Sequence, residues 1–170
     1  VQPIIGCQVD LRYVEPVPGE KPKSPAPIVL LAQNERGYEN LMKLNSCLYL
    51  RGDGQEAHVT LEELETYGAG LICLSGGPDG PIGRHLRENH RAAAQTLLTR
   101  LHQIYDDRLY VELQRHPGEN GLPPEERIAE RGHVEMAYEM GLPLVATNDV
   151  YFPKAEMYEA HDALICISEG

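Results

Sequence analysis

Short apolar runs alternate with longer stretches of helical period along this chain. That alternation constrains the fold more than any other feature. Strand-length apolar runs occupy residues 4–9, 28–32, 71–74, 109–113 and 144–146. Between them lie helical patterns. Residues 35–50 place Tyr38, Leu41, Met42, Asn45 and Leu48 on one stripe. Thr60-Leu61-Glu62-Glu63 has the form of a capping box, in which each end satisfies the other's free amide, and the helix it opens should stop at Gly68. Asn89 is expected to cap a helix running to about residue 105, with Ala94, Leu97, Leu98 and Leu101 inside. Pro123 and Pro124 precede a helix over 125–140, and Gly141 closes it. A last helix should start near Lys154. Residues 10–26 are rich in proline and poor in pattern, hence a loop or a ragged hairpin.

Strand following helix at this spacing calls for crossover connections, so the fold class is α/β, a mainly parallel sheet or barrel. At 170 residues the chain suits one domain spanning residues 1–170. Residues 144–146 are apolar on both faces and should form a buried central strand with Asp149 at its carboxyl end. Ile4, Ile5 and Val9 are expected to leave an apolar seam on the flank of the first strand. No initiator Met precedes Val1, and Gly170 closely follows Leu164-Ile165-Cys166-Ile167. The expectation is a piece of a longer chain, truncated at both ends.

Acidic residues outnumber basic ones 26 to 15, for a net charge of −11. That balance opposes direct attachment to phosphate backbones or anionic membrane, where attraction comes from clustered Lys and Arg. No run approaches the roughly 18 apolar residues of a membrane span, and no basic-then-apolar leader is visible, so a cytoplasmic location is expected. Cys7, Cys47, Cys73 and Cys166 all lie in apolar stretches without a Cys-x-x-Cys pair, and they read as reduced core thiols. With no Trp and one Phe, the chain is poorly supplied with platforms for stacking single-stranded bases.

Sites in parallel α/β folds gather at the carboxyl ends of strands. Those ends supply Gln8, Asn34, Ser75-Gly76-Gly77, Gln114 to His116, and Asn148-Asp149-Val150-Tyr151. Asp149 is the strongest single candidate, able to hold a metal or orient a base, or simply to cap the next turn. The run from Gly76 to Gly83 suits a tight turn first and a phosphate cradle second, because Pro78 and Pro81 have no amide hydrogen to give. His85, His90, His102 and His133 fall at plausible exposed helical positions, while His116 and His161 are weak metal candidates. No Gly-x-Ser-x-Gly elbow is present.

Several strings then add up in order. Pro3-Ile4-Ile5-Gly6-Cys7 comes first, then Leu30-Leu31-Ala32-Gln33-Asn34-Glu35-Arg36-Gly37-Tyr38, then Gly70-Leu71-Ile72-Cys73-Leu74-Ser75-Gly76-Gly77. Tyr110-Val111-Glu112-Leu113, Leu142-Pro143-Leu144-Val145-Ala146-Thr147-Asn148-Asp149-Val150 and Ala160-His161-Asp162-Ala163-Leu164 follow. Together they closely resemble the polymerase-and-histidinol-phosphatase (PHP) domain found at the amino end of bacterial DNA polymerase III alpha subunits. The resemblance implies a distorted (β/α)₇ barrel, here without its opening units. Active members hold metals with His, Asp, Glu and Cys at strand ends. Against that pattern this chain has Gln8 for Glu, Pro27 for His, Gly77 for Cys and Tyr151 for His, and of the matched positions only Asp149 is retained.

The resemblance therefore implies a degenerate domain without metal, cofactor or catalytic residue. Its parent would be a DNA-directed DNA polymerase using Mg²⁺ and meeting DNA through other domains. The domain itself would be a scaffold for the proofreading exonuclease subunit within the polymerase III holoenzyme, with no membrane partner. An active metal-dependent phosphoesterase or 3′–5′ exonuclease is the alternative, and a phosphate-binding module at Gly76–Gly83 a third.

The charge balance carries a direct expectation. The chain should bind primer–template DNA no more tightly than about 1 μM at ~0.15 M salt. Fluorescence anisotropy across a salt series checks it, and sub-micromolar binding with a steep salt slope would contradict it.

Overall fold

The computed structural model describes residues 1–14, 23–51, 56–118, 121–148 and 150–169. In chain order the elements are β1 (Gly6–Arg12), β2 (Ala26–Ala32), α1 (Glu35–Leu50), β3 (Val59–Thr60), α2 (Leu61–Tyr67), β4 (Leu71–Leu74), α3 (Pro81–Arg87), α4 (Arg91–Tyr105), β5 (Leu109–Gln114), α5 (Pro124–Met140), β6 (Leu144–Thr147) and α6 (Tyr158–Glu169). The strands form one sheet in the order β3-β1-β2-β4-β5-β6. The pairs β1–β3, β4–β5 and β5–β6 are parallel. β2 runs antiparallel to both β1 and β4. The ragged-hairpin reading of residues 10–26 thus holds at the hairpin's base, where Leu11 faces Ala26. Residues 15–22 lie outside the described residues. Among the described residues the sheet stays open, its order ending at β3 and β6.

Period-two alternation sorts each strand between two faces. Val9 and Leu11 on β1, Ala26, Ile28 and Leu30 on β2, and Leu109 and Val111 on β5 point into the core. There they meet Leu44, Leu64, Ile82, Leu98, Leu101, Tyr105 and Met136 from the helices. The intervening positions face the other way, and that second face carries the site described below.

Local chemistry explains most element boundaries. The Asn34 side chain accepts the Gly37 amide at 3.0 Å and caps α1. Both halves of the Thr60–Glu63 capping box are present, and α2 ends at Tyr67. Gly141 takes the left-handed φ of 66° that ends α5, and Leu142 then donates to the Ala137 carbonyl at 2.8 Å. Gly37 is where α1 meets the turn before β4, since a β-carbon there would lie 1.8 Å from the Gly70 carbonyl oxygen.

Several expectations are corrected. α1 buries Gly37, Asn40, Leu41 and Leu44, while Tyr38 and Met42 are exposed, so its inner face is turned from the anticipated stripe. His90, not Asn89, is the residue before α4, and Asn89 adopts a left-handed φ of 59°. The last helix begins at Tyr158, after a 3₁₀ turn over Ala155–Met157. The run from Gly76 to Gly83, read first as a tight turn, also opens α3. Pro81 sits at its first position, where no amide is required. β6 is an edge strand rather than a buried central one, with Leu144 37% exposed, because among the described residues only β5 pairs with it. In the expected amino-end seam Ile4 and Ile5 are exposed, but Val9 is buried in the core. Of the cysteines only Cys73 is fully buried, and Cys166 is exposed.

His85 and His133 are buried, not solvated. His133 is 1% exposed and its Nε2 has no hydrogen-bond partner. Burial pushes its pKa down to about 4. The ordinary value of about 6.5 returns on unfolding, so between these values the unfolded chain binds more protons than the folded one. The neutral ring is fully tolerated above about pH 6.5. Stability should fall as pH drops from there to about 4, a loss on the order of 3 kcal/mol. His133→Leu should flatten that part of the profile, as measured by denaturant midpoints across pH. Parallel profiles for the two proteins would refute the assignment.

Candidate functional site

The second face of the sheet opens into a small cleft of about 90 Å³ lined by Gln8, Pro27, Val29, Gly76, Asp79, Glu112, Gln114 and Tyr151. Strand register brings these residues together. Gln8 pairs across β1–β2 with Val29, and Pro27 lies two residues back on the same face. Glu112 and Gln114 are likewise two apart on β5, and Gln114 faces Thr147 on β6.

Glu112 is the centre of the cleft and is 2% exposed. Its Oε2 accepts the Gly76 amide at 2.9 Å. Its Oε1 accepts the Thr147 hydroxyl at 2.5 Å and the Gln114 amide at 3.3 Å. The Glu112 main-chain amide donates to the Ser75 hydroxyl at 2.9 Å. All these donors are uncharged. The carboxylate's hydrogen bonds thus tie the end of β4 to β5 and β6.

The glycines between β4 and α3 make this possible. Gly76 and Gly77 take φ values of 86° and 58°. A β-carbon on Gly76 would lie 1.9 Å from the Pro27 carbonyl oxygen, and one on Gly77 would lie 2.8 Å from the Gln114 side chain. The Gly76 amide is spent on Glu112, and the Gly80 amide turns back to the Gly76 carbonyl at 2.8 Å. A buried carboxylate beneath the turn also opposes an anion, so the geometry favours the turn over the phosphate cradle.

Four of the five sequence-predicted positions meet here. Gln8, Pro27 and Tyr151 line the cleft, and Gly77 abuts Gln114 beside it. Asp149 lies outside the described residues. Tyr151 also packs on His161, with ring centroids 5.1 Å apart. Asn34 is occupied as a helix cap. His116 pairs with Glu126 on α5, Nδ1 to Oε1 at 3.0 Å, and does not line the cleft. Asp79 is mostly exposed and pairs with Arg87 at 3.1 Å. Among the described lining residues there is one buried carboxylate and neither a thiol nor an imidazole. The nearby Cys73 thiol is pushed well up, first by burial and then by the charge of Glu112, which leaves it inert.

Sequence reasoning missed Glu112 itself. The available signal was a lone acid inside the apolar run Leu109-Tyr110-Val111-Glu112-Leu113, in phase with Gln114.

Comparison with known proteins gives a consistent result. The family described as PHP domain matches residues 1–116. The chain is 46% identical over 171 residues to the DNA polymerase III subunit alpha of Caulobacter vibrioides, covering 100% of this chain and 14% of that protein. It is 37% identical over 171 residues to the subunit of the same name from Rickettsia bellii, with the same coverages. With the Haemophilus influenzae subunit alpha the identity is 33% over 170 residues, again covering 100% and 14%. The chain therefore spans about 14% of the length of these relatives.

The hydrogen bonds at Glu112 set a measurable cost. Glu112→Gln places an amide donor against hydroxyl and amide donors and should destabilise the protein by about 1–3 kcal/mol. Gln114→Ala removes only the two long bonds of 3.3 Å to Glu112 and Thr147, leaves the Gly76 and Thr147 donors on the carboxylate, and should cost less. Urea denaturation of both variants checks the order, and equal costs would contradict it.

Proposed function

The chain belongs to the PHP domain family, and on that premise we propose that it serves within a bacterial DNA polymerase III alpha subunit as a scaffold whose Glu112 cleft holds no metal. The carrying observation is the state of Glu112. Both its oxygens are already satisfied by Gly76, Thr147 and Gln114, all neutral donors. Metals of this class need deprotonated carboxylate or thiolate, or neutral imidazole. Gln8, Pro27 and Tyr151 stand at the lining instead, and the Gln114 side chain fills the space beside Gly77 where the resemblance implies a thiolate. This donor set does not fit a polynuclear metal centre, so no hydrolytic step is assigned to it.

In this reading the parent chain extends a primer with Mg²⁺ in domains beyond this one. The PHP domain contributes a docking body for the proofreading exonuclease subunit in the cytoplasmic replication machinery. The net charge of −11 supports a protein-facing role over a DNA-facing one. No described helix is long and apolar enough to cross a membrane.

Incubation of the purified chain with Mn²⁺ or Zn²⁺ and either end-labelled DNA or a chromogenic phosphoester tests the reading of a cleft without metal. No chelator-sensitive hydrolysis is expected, and Asp149→Asn, which removes the retained acid, should leave the metal content unchanged. Chelator-sensitive cleavage that Asp149→Asn abolishes would establish an active phosphoesterase or 3′–5′ exonuclease instead.

A further inference from the structure

Away from the cleft, the turn between α3 and α4 gathers a second set of ligand-type side chains. His85 lies in the last turn of α3, Glu88 follows the helix, and His90 precedes α4. Main-chain hydrogen bonds fix this reversal. The Glu88 amide donates to the Arg84 carbonyl at 3.0 Å, Asn89 to Leu86 at 3.1 Å, and His90 to His85 at 2.8 Å. Asn89 supplies the left-handed residue that the reversal requires. One ligand atom from each of His85, Glu88 and His90 then lies within 4.8 Å of the others. None of the three lines the Glu112 cleft.

The second observation is independent of this clustering. His85 is only 8% exposed, and its Nδ1 is buried without a hydrogen-bond partner. A buried polar nitrogen left unpaired is costly and calls for an explanation. The ring packs in a T-shaped contact with Tyr13, with centroids 5.1 Å apart at 89°. His90 and Glu88 have side chains 58% and 43% exposed, so they are free to adjust around a partner that His85 cannot follow.

We propose that His85, Glu88 and His90 form a zinc site with three protein ligands and one position left for water. Two imidazoles and a carboxylate are a donor set that zinc takes at about 2.0–2.2 Å, which puts two donors on one tetrahedral ion roughly 3.4 Å apart. The three donor atoms already lie within 4.8 Å of one another, and the exposed Glu88 and His90 side chains are the ones that must close to that spacing. One competitor is visible. The Lys23 ammonium sits 2.6 Å from Glu88 Oε2 and must leave when the metal arrives.

Titration of the untagged 170-residue chain with Zn²⁺, by calorimetry or against a chromophoric chelator, tests the site. One saturable zinc per chain is expected. His90→Ala and Glu88→Gln, both at exposed side chains, should each weaken binding by at least about tenfold, while metal-free thermal melts stay unchanged. Lys23→Ala should tighten binding, since it removes the competing cation. Asp149→Asn should leave zinc affinity unchanged, which separates this ion from any metal in the cleft. Absence of saturable binding, full affinity in His90→Ala, or loss of affinity in Lys23→Ala would overturn the proposal.

Discussion

A carboxylate buried in a sheet must be met by donors where it sits, and Glu112 is met by three strand ends at once. The turn after β4 supplies the Gly76 amide, β5 supplies its own Gln114, and β6 supplies Thr147. Leaving the anion unpaired would cost several kcal/mol, so the path of the chain around it is strongly constrained. The Gly76 amide reaches Glu112 only if the chain turns sharply after β4, and that turn uses the positive φ values of Gly76 and Gly77. The same turn delivers Pro81 to the start of α3. α3 then packs on α4 and α5, where Gly132 admits the Leu86 side chain closely. The short turn from α3 into α4 follows, bringing His85 near Glu88 and His90.

The sheet shows how register converts scattered positions into one cleft. Gln8, Pro27, Glu112 and Gln114 sit on three strands, widely separated in sequence. Each occupies the out-of-core phase of its strand, so the pleat alone puts them on one face. The antiparallel placing of β2 between β1 and β4 adds the Pro27 carbonyl beside Gly76. A single-residue slip in any of these pairings would send its contribution to the core face.

What was legible in the sequence follows the range of the physics involved. Local chemistry read well. The Thr60–Glu63 capping box, the left-handed Gly141 and the β4 and β5 runs depend on neighbours within a few residues, and they stand where expected. Long-range burial read poorly. His133 and His85 are polar on helices, and nothing local distinguishes a solvated imidazole from one covered by another element. The three apolar residues Leu144, Val145 and Ala146 read as a central strand, yet strand order, which composition does not encode, sets β6 at the edge. α3 read first as a turn because Pro78, Gly80, Pro81 and Gly83 all signal one, although proline at a first helical position and a small residue at a close approach are compatible with helix. Gln8, Gly76, Gln114 and Tyr151 were legible as strand ends, and the resemblance added Pro27. Glu112, the residue that organises them, looked like one acid in an apolar strand.

The nature of Glu112's partners links the persistence of the fold to its proposed role. Where a buried carboxylate is balanced by a bound cation, local stability depends on that cation and falls when it is withdrawn. Where it is balanced by main-chain amide, hydroxyl and carboxamide donors, the balance is covalently part of the chain and survives without any ion. Gln114 is the clearest instance. Its amide bonds both Glu112 and Thr147, and its side chain fills the space beside Gly77. Restoring a ligand at Gly77 would therefore displace a donor on which Glu112 relies, and the left-handed backbone there would strain any residue with a β-carbon. Under the proposed function, Gly77 and Gln114 are coupled, so a metal centre could not be rebuilt one substitution at a time without first weakening the sheet ends it would sit on.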